Sequence, residues 1–314
     1  MQTKRSELEG KVIKSTGSWY NVLAEDGQVY PCRLRGKFKI KGLKVTNPVA
    51  VGDKVELELE EGEEGTAVIT DIHPRENYII RKSTHKKHHG HLIATNIDQA
   101  VLLATLILPR TSLGFIDRFL VSADSFRIPA LIVFNKKDML EREQQQQQKE
   151  LMEMYESIGY PCMEISAFDQ QDVANVKEAL LHKTSLITGH SGVGKSTLLN
   201  QIDPSLEQKT AKVSTFANKG VHTTTYAEMF AIEKDTFVID TPGIKELGLM
   251  DINEGELSHY FPEMRELLGE CKFHDCTHTH EPGCAVMDAV EEGKIAGSRY
   301  YSYLSMLENE DTHR

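Results

Sequence analysis

The 314-residue chain lacks a hydrophobic run long enough to cross a membrane, and its first stretch, MQTKRSELEG, lacks the apolar segment of a signal peptide. We therefore expect a cytoplasmic protein. Cysteine is scarce, and the odd number of five argues against a fold held by disulfides. Positive charge is in deficit, since 36 Lys and Arg face 47 Asp and Glu and leave a net charge of −11. This balance argues against a protein that coats nucleic acid indiscriminately, and it leaves room for a local basic face.

The net charge is unevenly distributed along the chain. It is +3 over residues 1–92, −5 over residues 93–250 and −9 over residues 251–314. Two segments of the first part, 31–44 and 81–87, are rich in Lys and Arg and contain no acidic residue. Four aromatic residues lie near these segments: Trp19, Tyr20, Phe38 and Tyr78. Such segments suit RNA phosphates and stacked bases, but a charge run is also typical of a solvated face, so the pattern names no single contact residue.

Periodicity divides the chain into segments of different type. Five strand-like segments within residues 9–82, of which 12–24 is taken as the first and 77–82 as the last, predict a small β-barrel with an OB-fold. Apolar strands then alternate with helical patterns, which predicts a parallel sheet flanked by helices. We predict a multidomain chain with a barrel at 1–80, a linker at 81–95, a central α/β domain at 96–248 and a C-terminal α-helical domain at 249–314.

A glycine-rich motif follows one of the apolar strands. GHSGVGKS, residues 189–196, matches G-x-x-x-x-G-K-[ST] between the strand TSLIT and the helical stretch KSTLLNQI, which is the context that a phosphate-binding loop requires. Its glycines let backbone N–H groups face phosphate oxygens, while Lys195 would reach the β- and γ-phosphates and Ser196 would ligate Mg²⁺. The predicted nucleotide-binding residues of this loop are Gly189, His190, Ser191, Gly192, Val193, Gly194, Lys195, Ser196 and Thr197.

Two other strand ends carry residues that would read a guanine base. NKKD, residues 135–138, follows the strand ALIVF, and a carboxylate at Asp138 can accept both the ring N–H and the exocyclic amine of guanine. The segment ISA, residues 165–167, would touch the base from its other side. We therefore predict guanine contacts from Asn135, Lys136, Lys137, Asp138, Ser166 and Ala167. The same motif disfavours a kinase or an ATPase.

The motif DTPG closes the apolar strand TFVID. Asp240 would hold Mg²⁺ through a water molecule, and the N–H of Gly243 would meet the γ-phosphate. The preceding segment KGVHTTTY offers a second Mg²⁺ ligand. Thr224 is favoured for that position, and Thr223 and Thr225 remain alternatives.

These loops stand in an order that differs from the usual one. The base-reading loops precede the phosphate loop, the threonine segment and DTPG along the chain. Because ligand loops all lie at the carboxyl ends of parallel strands, the site depends on their positions in space and not on chain order. The sequence therefore predicts a circularly permuted P-loop GTPase.

Three of the five cysteines lie close together near the C-terminus. CKFHDCTHTHEPGC supplies Cys271, Cys276 and Cys284, with His274, His278 and His280 as candidate fourth ligands. Three thiolates and one imidazole form a closed tetrahedral set suited to structural Zn²⁺, with no open position for catalysis. The isolated Cys32 and Cys162 are predicted to be core residues.

The permuted loop order, GHSGVGKST, GVHTTT, DTPG, the OB-like N-terminus and the Cys/His tail together resemble the RsgA (YjeQ) family of bacterial small-subunit ribosome-assembly GTPases. The resemblance covers nearly the whole chain. It implies a GTPase that binds the small ribosomal subunit and its rRNA, acts in late maturation and turns over faster on the subunit. It also implies His278 as the fourth zinc ligand, and we expect a monomer. The family commonly has an Arg before HTTT, where this chain has Val221, so any contact of that Arg does not carry over.

The position after D-x-x-G, where a Ras-like enzyme carries a water-orienting Gln, is occupied by Ile244. An isoleucine cannot orient water, so we expect slow intrinsic hydrolysis. The resemblance offers His222 as the catalytic residue, since an imidazole can orient water or accept its proton. A surface-loop histidine is the alternative interpretation.

A second interpretation of the function keeps the GTPase but makes it a regulator of another cytosolic complex. The barrel would then be a protein-binding module. Salt-sensitive co-sedimentation with small subunits in GTP, but not in GDP, would distinguish the two.

Overall fold

The structure is a computed structural model that describes residues 7–36, 47–60, 65–82, 90–206, 227–240 and 252–308. Its strands are β1 Glu7–Ser15, β2 Tyr20–Ala24, β3 Val29–Leu34, β4 Lys54–Leu59, β5 Ala67–Ile72, β6 Tyr78–Lys82, β7 Gly90–Thr95, β8 Gln99–Ala104, β9 Ala130–Phe134, β10 Cys162–Glu164, β11 Thr184–Thr188, β12 Glu228–Glu233 and β13 Thr236–Asp240. Its α-helices are α1 Leu113–Ser125, α2 Arg142–Ser157, α3 Gln170–Leu180, α4 Lys195–Ile202, α5 Pro262–Arg265, α6 Ala285–Glu291 and α7 Gly297–Leu307. Short 3₁₀ helices span Lys137–Met139 and Glu254–Tyr260.

Strands β1 to β5 form the predicted N-terminal barrel. β1 pairs with β2 and with β4, β2 pairs with β3, and β5 pairs with β3 and with β4, so the sheet closes on itself. Alternate side chains point inward, as along β2, where Tyr20, Val22 and Ala24 are buried and the residues between them are half-buried. The barrel core comprises Val12, Tyr20, Val22, Ala24, Cys32, Val49, Val55, Leu57, Ala67 and Ile69.

The strand segmentation of this region differs from the prediction. Residues 12–24 hold parts of two strands, because a turn closed by the Thr16 N–H and the Trp19 carbonyl separates β1 from β2. The segment 77–82 contains β6, which pairs with β7 in a separate hairpin. This strand is therefore not part of the barrel. Tyr20 is 2% exposed in the barrel core, so its ring is not available for the base stacking that its position suggested.

The chain divides into two compact units. The first comprises Met1–Gln99, Ala174–Thr188 and Leu199–Glu246, and the second comprises Ala100–Val173, Gly189–Leu198 and Leu247–Arg314. In the first unit, β11 and β13 are parallel, while β12 and β13 form an antiparallel hairpin. In the second unit, β8, β9 and β10 are parallel neighbours. Strands β8 to β11 follow the predicted alternation of strand and helix. The prediction of an all-parallel arrangement is wrong for β12, because a tight turn returns the chain antiparallel into β13 with no helix between them.

The C-terminal part of the second unit packs helices around its own apolar core. That core comprises Val121, Leu257, Phe261, Met264, Cys284, Val286, Ala289, Ile295, Tyr303 and Met306. Beside it, Arg299 of α7 is 1% exposed and donates hydrogen bonds to Asp117 of α1 and Glu263 of α5, each at 2.7 Å. Asp117 also accepts a hydrogen bond from the Tyr155 hydroxyl at 2.8 Å. These buried polar groups link α1, α5 and α7 with Tyr155 of α2.

Among the residues that the structure describes, no helix combines the length and the apolar character needed to cross a membrane.

Candidate functional site

The glycine-rich motif forms a tight loop between β11 and α4. Gly192 and Gly194 have φ values of 87° and 99°, a left-handed conformation that favours glycine. Val193 between them is fully buried and holds the loop against the protein. The helix α4 begins at Lys195, so the N-terminal turn of this helix follows the loop directly. A loop of this kind presents backbone N–H groups and the positive end of a helix dipole to an anion.

Asn135 connects three of the predicted nucleotide loops. Its side chain is 2% exposed. Its Nδ2 donates to the Val193 carbonyl of the glycine-rich loop at 2.8 Å, and its Oδ1 accepts from the Ala167 N–H at 3.0 Å. A Cβ atom on Gly194 would collide with the Asn135 amide. The geometry therefore requires both a glycine at 194 and an asparagine-like side chain at 135.

Lys136 connects the same loops to a segment that the sequence reasoning missed. Its Nζ donates to the Gly192 carbonyl at 2.7 Å and to the Leu108 carbonyl at 2.5 Å. Leu108 belongs to the loop between β8 and α1, whose Pro109 lies 3.5 Å from the position of a Cβ atom on Gly192. This loop follows a fully buried strand. Its place after that strand was the available signal, since loops at the carboxyl ends of parallel strands meet at one edge.

The loop 165–168 is held by an ion pair. Lys137 lies 2.7 Å from the Asp172 carboxylate, and the same carboxylate accepts a hydrogen bond from the Ser166 N–H at 2.7 Å. The hydrogen bond that Lys137 donates to the Asp172 carboxylate raises the pKa of Lys137. Lys137 therefore contacts Asp172 in the first turn of α3, and Asp172 in turn holds the loop 165–168. Sequence reasoning missed Asp172 because a carboxylate within an amphipathic helix pattern carries no separate signal.

Two exposed side chains stand at the ends of these braced loops. Asp138 is exposed, and Phe168 is 78% exposed. Neighbouring backbone groups are fixed by Asn135 and Asp172. A carboxylate in this position can accept two N–H groups from one ligand.

The other residues of the loop lie where the sequence places them, around the start of α4. Ser191 and Ser196 are exposed, and Thr197 is half-buried. The ring of His190 lies 3.9 Å, between centroids, from the ring of Phe115 in α1. A Cβ atom on Gly189 would collide with the Leu103 carbonyl of β8, so β8 approaches the start of the loop at backbone distance.

Several predicted residues lie outside the described part of the chain. These are His222, Thr223, Thr224, Thr225 and Gly243. Asp240 is the last residue of β13, and its backbone pairs with Ile187 of β11 and with Glu228 of β12. The described strand thus ends where the motif DTPG begins.

A Cys/His cluster forms a second candidate site. The Sγ atoms of Cys271, Cys276 and Cys284 and a ring nitrogen of His278 all lie within 4.8 Å of one another. The His278 Nδ1 is 3.6 Å from Cys271 Sγ and 3.4 Å from Cys284 Sγ, and the two sulfurs are 4.0 Å apart. Ligands about 2.3 Å from a tetrahedral metal ion are about 3.8 Å from one another. The donor set therefore fits one tetrahedral metal ion.

Of the three candidate histidines, His278 is the one that the fold brings to the cysteines. His274 is exposed, and the Nδ1 of His280 lies 2.7 Å from the Thr279 hydroxyl. The backbone of His278 is left-handed, with φ of 59°, and its carbonyl accepts a hydrogen bond from the Tyr300 hydroxyl of α7 at 2.7 Å. This conformation sets the direction of the imidazole.

A carboxylate closes the histidine loop. Glu281 accepts hydrogen bonds from the backbone N–H groups of Thr277, Thr279 and His280 at 2.6, 2.9 and 3.1 Å. Burial acts to raise the pKa of Glu281, but these hydrogen bonds and one from the Thr277 hydroxyl hold it well below its usual range. The Glu281 carboxylate therefore fixes the backbone of the loop that carries the His278 imidazole.

The chain is similar to one family along most of its length. A sequence model described as RsgA GTPase matches residues 72–250, and one described as RsgA N-terminal domain matches residues 9–67. Curated relatives named "Small ribosomal subunit biogenesis GTPase RsgA" include one from Cytophaga hutchinsonii that is 53% identical over 98% of this chain and 100% of its own. Another, from Christiangramia forsetii, is 52% identical over 97% of both chains.

Solved structures extend the similarity to the whole fold. YjeQ from Thermotoga maritima superposes with a TM-score of 0.77 at 35% sequence identity, covering 98% of this chain and 100% of that one. YloQ, described as a circularly permuted GTPase, superposes with a TM-score of 0.75 at 31% identity, covering 98% and 96%. The family matches, the close relatives and the shared fold agree with the loop arrangement described above. The chain belongs to the RsgA GTPase family and is a circularly permuted GTPase.

Proposed function

We propose that this GTPase binds the small ribosomal subunit and its rRNA, acts in late maturation of the subunit, and hydrolyses GTP to GDP and phosphate faster when bound to it. The support is twofold. Relatives about 50% identical over 97% of the chain carry the name of a small ribosomal subunit biogenesis GTPase. The observation in this chain that supports the nucleotide-binding part of the proposal is the Asn135 side chain, which joins the base-reading loops to the glycine-rich loop.

In this proposal the nucleotide is held by groups from several loops. Asp138 pairs with the edge of guanine, while Asn135 and Lys136 keep the base loop and the phosphate loop in register. Lys137 acts through Asp172 on the loop that holds Ser166 and Ala167. The remaining GTP-binding residues are Gly189, His190, Ser191, Gly192, Val193, Gly194, Lys195, Ser196, Thr197, Asp240 and Gly243.

A Mg²⁺ ion bound with GTP would neutralise the charge that develops on the β- and γ-phosphates. Ser196, at the start of α4, is suited to hold it because the exposed hydroxyl follows the phosphate loop. Thr224 is proposed as the second ligand. Asp240 would bind the ion through water.

The Cys/His cluster is proposed to hold one structural Zn²⁺ through Cys271, Cys276, His278 and Cys284. Three sulfurs and one imidazole at the distances given above match the ligand preference of zinc. Four protein ligands complete a tetrahedron and leave no position for substrate. The ion would stabilise the C-terminal helices and take no part in hydrolysis.

Hydrolysis is proposed to depend on His222, which would orient the attacking water when the chain is bound to the subunit. Ile244 cannot do so because it has no polar atom in its side chain. We also propose that the chain acts as a monomer in the cytoplasm. We also propose domain bounds of 1–80, 81–95, 96–248 and 249–314, and within the second of these, residues 90–95 form the strand β7.

The test is GTP turnover with and without purified small subunits. We expect a sharp rise with subunits, loss of most of that rise in His222→Ala, and loss of nucleotide binding under both conditions in Lys195→Ala. His274→Ala is the matched control, since His274 is an exposed histidine outside both sites. Turnover that subunits leave unchanged in the wild type would contradict the proposal. Equal stimulation of wild type and His222→Ala would contradict the role of His222 alone.

Co-sedimentation separates this function from regulation of another complex. We expect salt-sensitive sedimentation with small subunits in the presence of GTP and release in GDP. Competition between GTP and ATP for the site tests the base preference independently, and equal competition by ATP would contradict the role of Asp138.

A further inference from the structure

A large cleft, separate from the nucleotide loops, opens in the unit that contains the base-reading loops. Its volume is about 830 Å³, within the range of pockets that hold small organic ligands. Residues at the end of α1, at the end of α2 and from the C-terminal segment line it. The polar and aromatic side chains of the lining that carry the inference are Asp124, Arg127, Tyr160, His259, Tyr260 and Arg265.

This cleft is distinct from the nucleotide site. Residues 127–130 and 158–161 line it, and these stretches lead into the amino ends of β9 and β10. The base-reading loops 135–138 and 165–168 leave the carboxyl ends of the same two strands. The two sites therefore lie at opposite ends of the strands, and GTP in one does not occupy the other.

Cationic side chains dominate the cleft. Arg265 lies 3.2 Å from Asp124, which fixes the guanidinium beside the cavity. Arg127 is exposed, and no ion pair joins it to another residue of the described chain. One carboxylate thus faces two guanidinium groups and the His259 imidazole. Residues 251–314 carry a net charge of −9, so an anionic ligand in this cleft would be held by the local guanidinium groups and not by the net charge of the segment.

Tyr160, which lines the cleft, carries a buried hydroxyl group that no described residue engages. Tyr160 is 8% exposed, and its hydroxyl has no hydrogen-bond partner among the described residues. Burial raises the pKa of Tyr160, so the hydroxyl keeps its proton at neutral pH. A buried polar group without a partner is unfavourable and calls for an explanation such as a ligand.

We propose that this cleft binds one nucleotide of a single-stranded RNA segment. Arg127 and Arg265 contact its phosphate, the Tyr160 hydroxyl donates to it, and Tyr260 offers an aromatic face to the base. Cations combined with aromatic faces favour RNA over an acidic protein segment, which offers carboxylates but no base. The inference rests on the proposed function, because the small subunit is the source of the RNA.

The first test reverses one charge in the full-length protein. Arg127→Glu should weaken binding of a fluorescent 12-nucleotide single-stranded RNA, and of small subunits, about tenfold at 0.1 M salt and lower the salt slope by about 1. Lys149→Glu is the matched control, since Lys149 is exposed on α2 and makes the same change in charge. GTP affinity should stay unchanged in both variants, which also shows that both fold.

Removal of a single oxygen gives the second test. Tyr160→Phe should leave the melting temperature unchanged or raise it, because the hydroxyl has no internal partner, while RNA affinity falls severalfold. If Arg127→Glu and Tyr160→Phe both bind RNA and subunits like the wild type, the inference is overturned and the proposed function stands. If a poly-glutamate peptide binds in an Arg127-dependent manner and RNA does not, the occupant is an acidic protein segment and the inference is also overturned. Failure of wild-type protein to bind subunits contradicts the proposed function, and the RNA oligonucleotide still decides the inference.

Discussion

At the scale of single residues, Asn135 shows how one buried amide organises a site built from separate parts of the chain. It lies 58 residues before Val193 and 32 residues before Ala167, yet bonds to both. An amide is the group that can donate to a carbonyl and accept from an N–H in the same place. A carboxylate or an apolar side chain satisfies at most one of these partners.

We predict that Asn135→Ala lowers the affinity for GTP and for GDP alike by about tenfold, equivalent to about 1.4 kcal/mol. The Val193 carbonyl and the Ala167 N–H lose their hydrogen-bond partner. These two bonds hold loops that GTP and GDP would both contact, so both nucleotides should bind more weakly. Asn135→Asp should also bind weakly, because it keeps the acceptor but loses the donor. Titration with a fluorescent GDP analogue measures both, with exposed Asn253→Ala as control. Wild-type affinity in Asn135→Asp would show that the bond to Val193 is unimportant.

Glu281 is a second residue whose effect exceeds its size, since its carboxylate closes the loop that carries His278. We predict that Glu281→Gln lowers zinc affinity about tenfold at pH 7, as loss of an outer partner of a metal ligand does. The hydrogen bonds that lower the pKa of Glu281 stabilise the loop above pH 4.5, its ordinary value, and this contribution disappears as the pH falls through the lowered pKa. Because pH 5 and pH 7 both lie above 4.5, the ratio of zinc affinities of wild type and variant should be the same at these two pH values and should shrink only at lower pH.

Competition with a colorimetric zinc chelator at pH 7 and at pH 5 measures this difference. Glu292→Gln is the control, because Glu292 pairs with Lys294 and contacts no ligand of the cluster. A difference that disappears between pH 7 and pH 5 would contradict the assignment.

At the scale of elements, α1 connects the phosphate loop with the C-terminal helices inside one unit. Phe115 near its start packs on His190, Asp117 bonds to Arg299 of α7, and Val121 belongs to the C-terminal core. The hydroxyl of Ser112 accepts from the Phe115 N–H and caps the helix. Since all these contacts come from one rigid helix, the position of α7 depends on α1.

We predict that Arg299→Met destabilises the protein by about 3–5 kcal/mol, because Asp117 and Glu263 remain buried without their cation. Adding Asp117→Asn and Glu263→Gln to the same chain should recover part of the loss. Urea denaturation measures the free energy of unfolding. Lys294→Met, which removes an exposed pair, should change it by less than about 1 kcal/mol. Equal effects of the two single variants would contradict a structural role for the buried network.

At the scale of the whole molecule, one apolar core of the described residues lies in the barrel and another lies around the Cys/His cluster. Cys284 belongs to the second core and is also a proposed zinc ligand. A metal ion bound by this cluster would therefore couple metal binding to helix packing in the C-terminal segment. The barrel core includes no residue of the cluster.

We predict that a strong zinc chelator raises hydrogen exchange across α6 and α7, and to a smaller degree at Val121 of α1, while β1 to β5 stay protected. The chelator saturated with zinc beforehand is the matched control. Mass spectrometry of proteolytic peptides follows each region. Protection of α6 that survives complete zinc removal would contradict a structural role for the metal.

Much of the candidate site was predictable because its chemistry is local in sequence. The glycine-rich loop, NKKD and the cysteine spacing each need certain residue types at short fixed distances, so a motif reveals them. The brace of Lys137 by Asp172 and the contact of Leu108 with Lys136 were not predictable in this way. Each joins groups that are 28 to 35 residues apart in the chain, and such pairs depend on which strands become neighbours.

The sequence by itself determined that the chain is a permuted GTPase with a barrel before it and a Cys/His cluster after it, because loop motifs and strand patterns depend on nearest neighbours. Residue chemistry left three histidines open and the family resemblance implied His278, which the tertiary structure brings to the cysteines. Only the tertiary structure decided that Tyr20 is in the core and that residues 90–95 pair with β6 as a strand. These outcomes depend on burial and on left-handed turns such as that at His278. Burial and chain direction are properties of the packed chain, and a local pattern leaves them open.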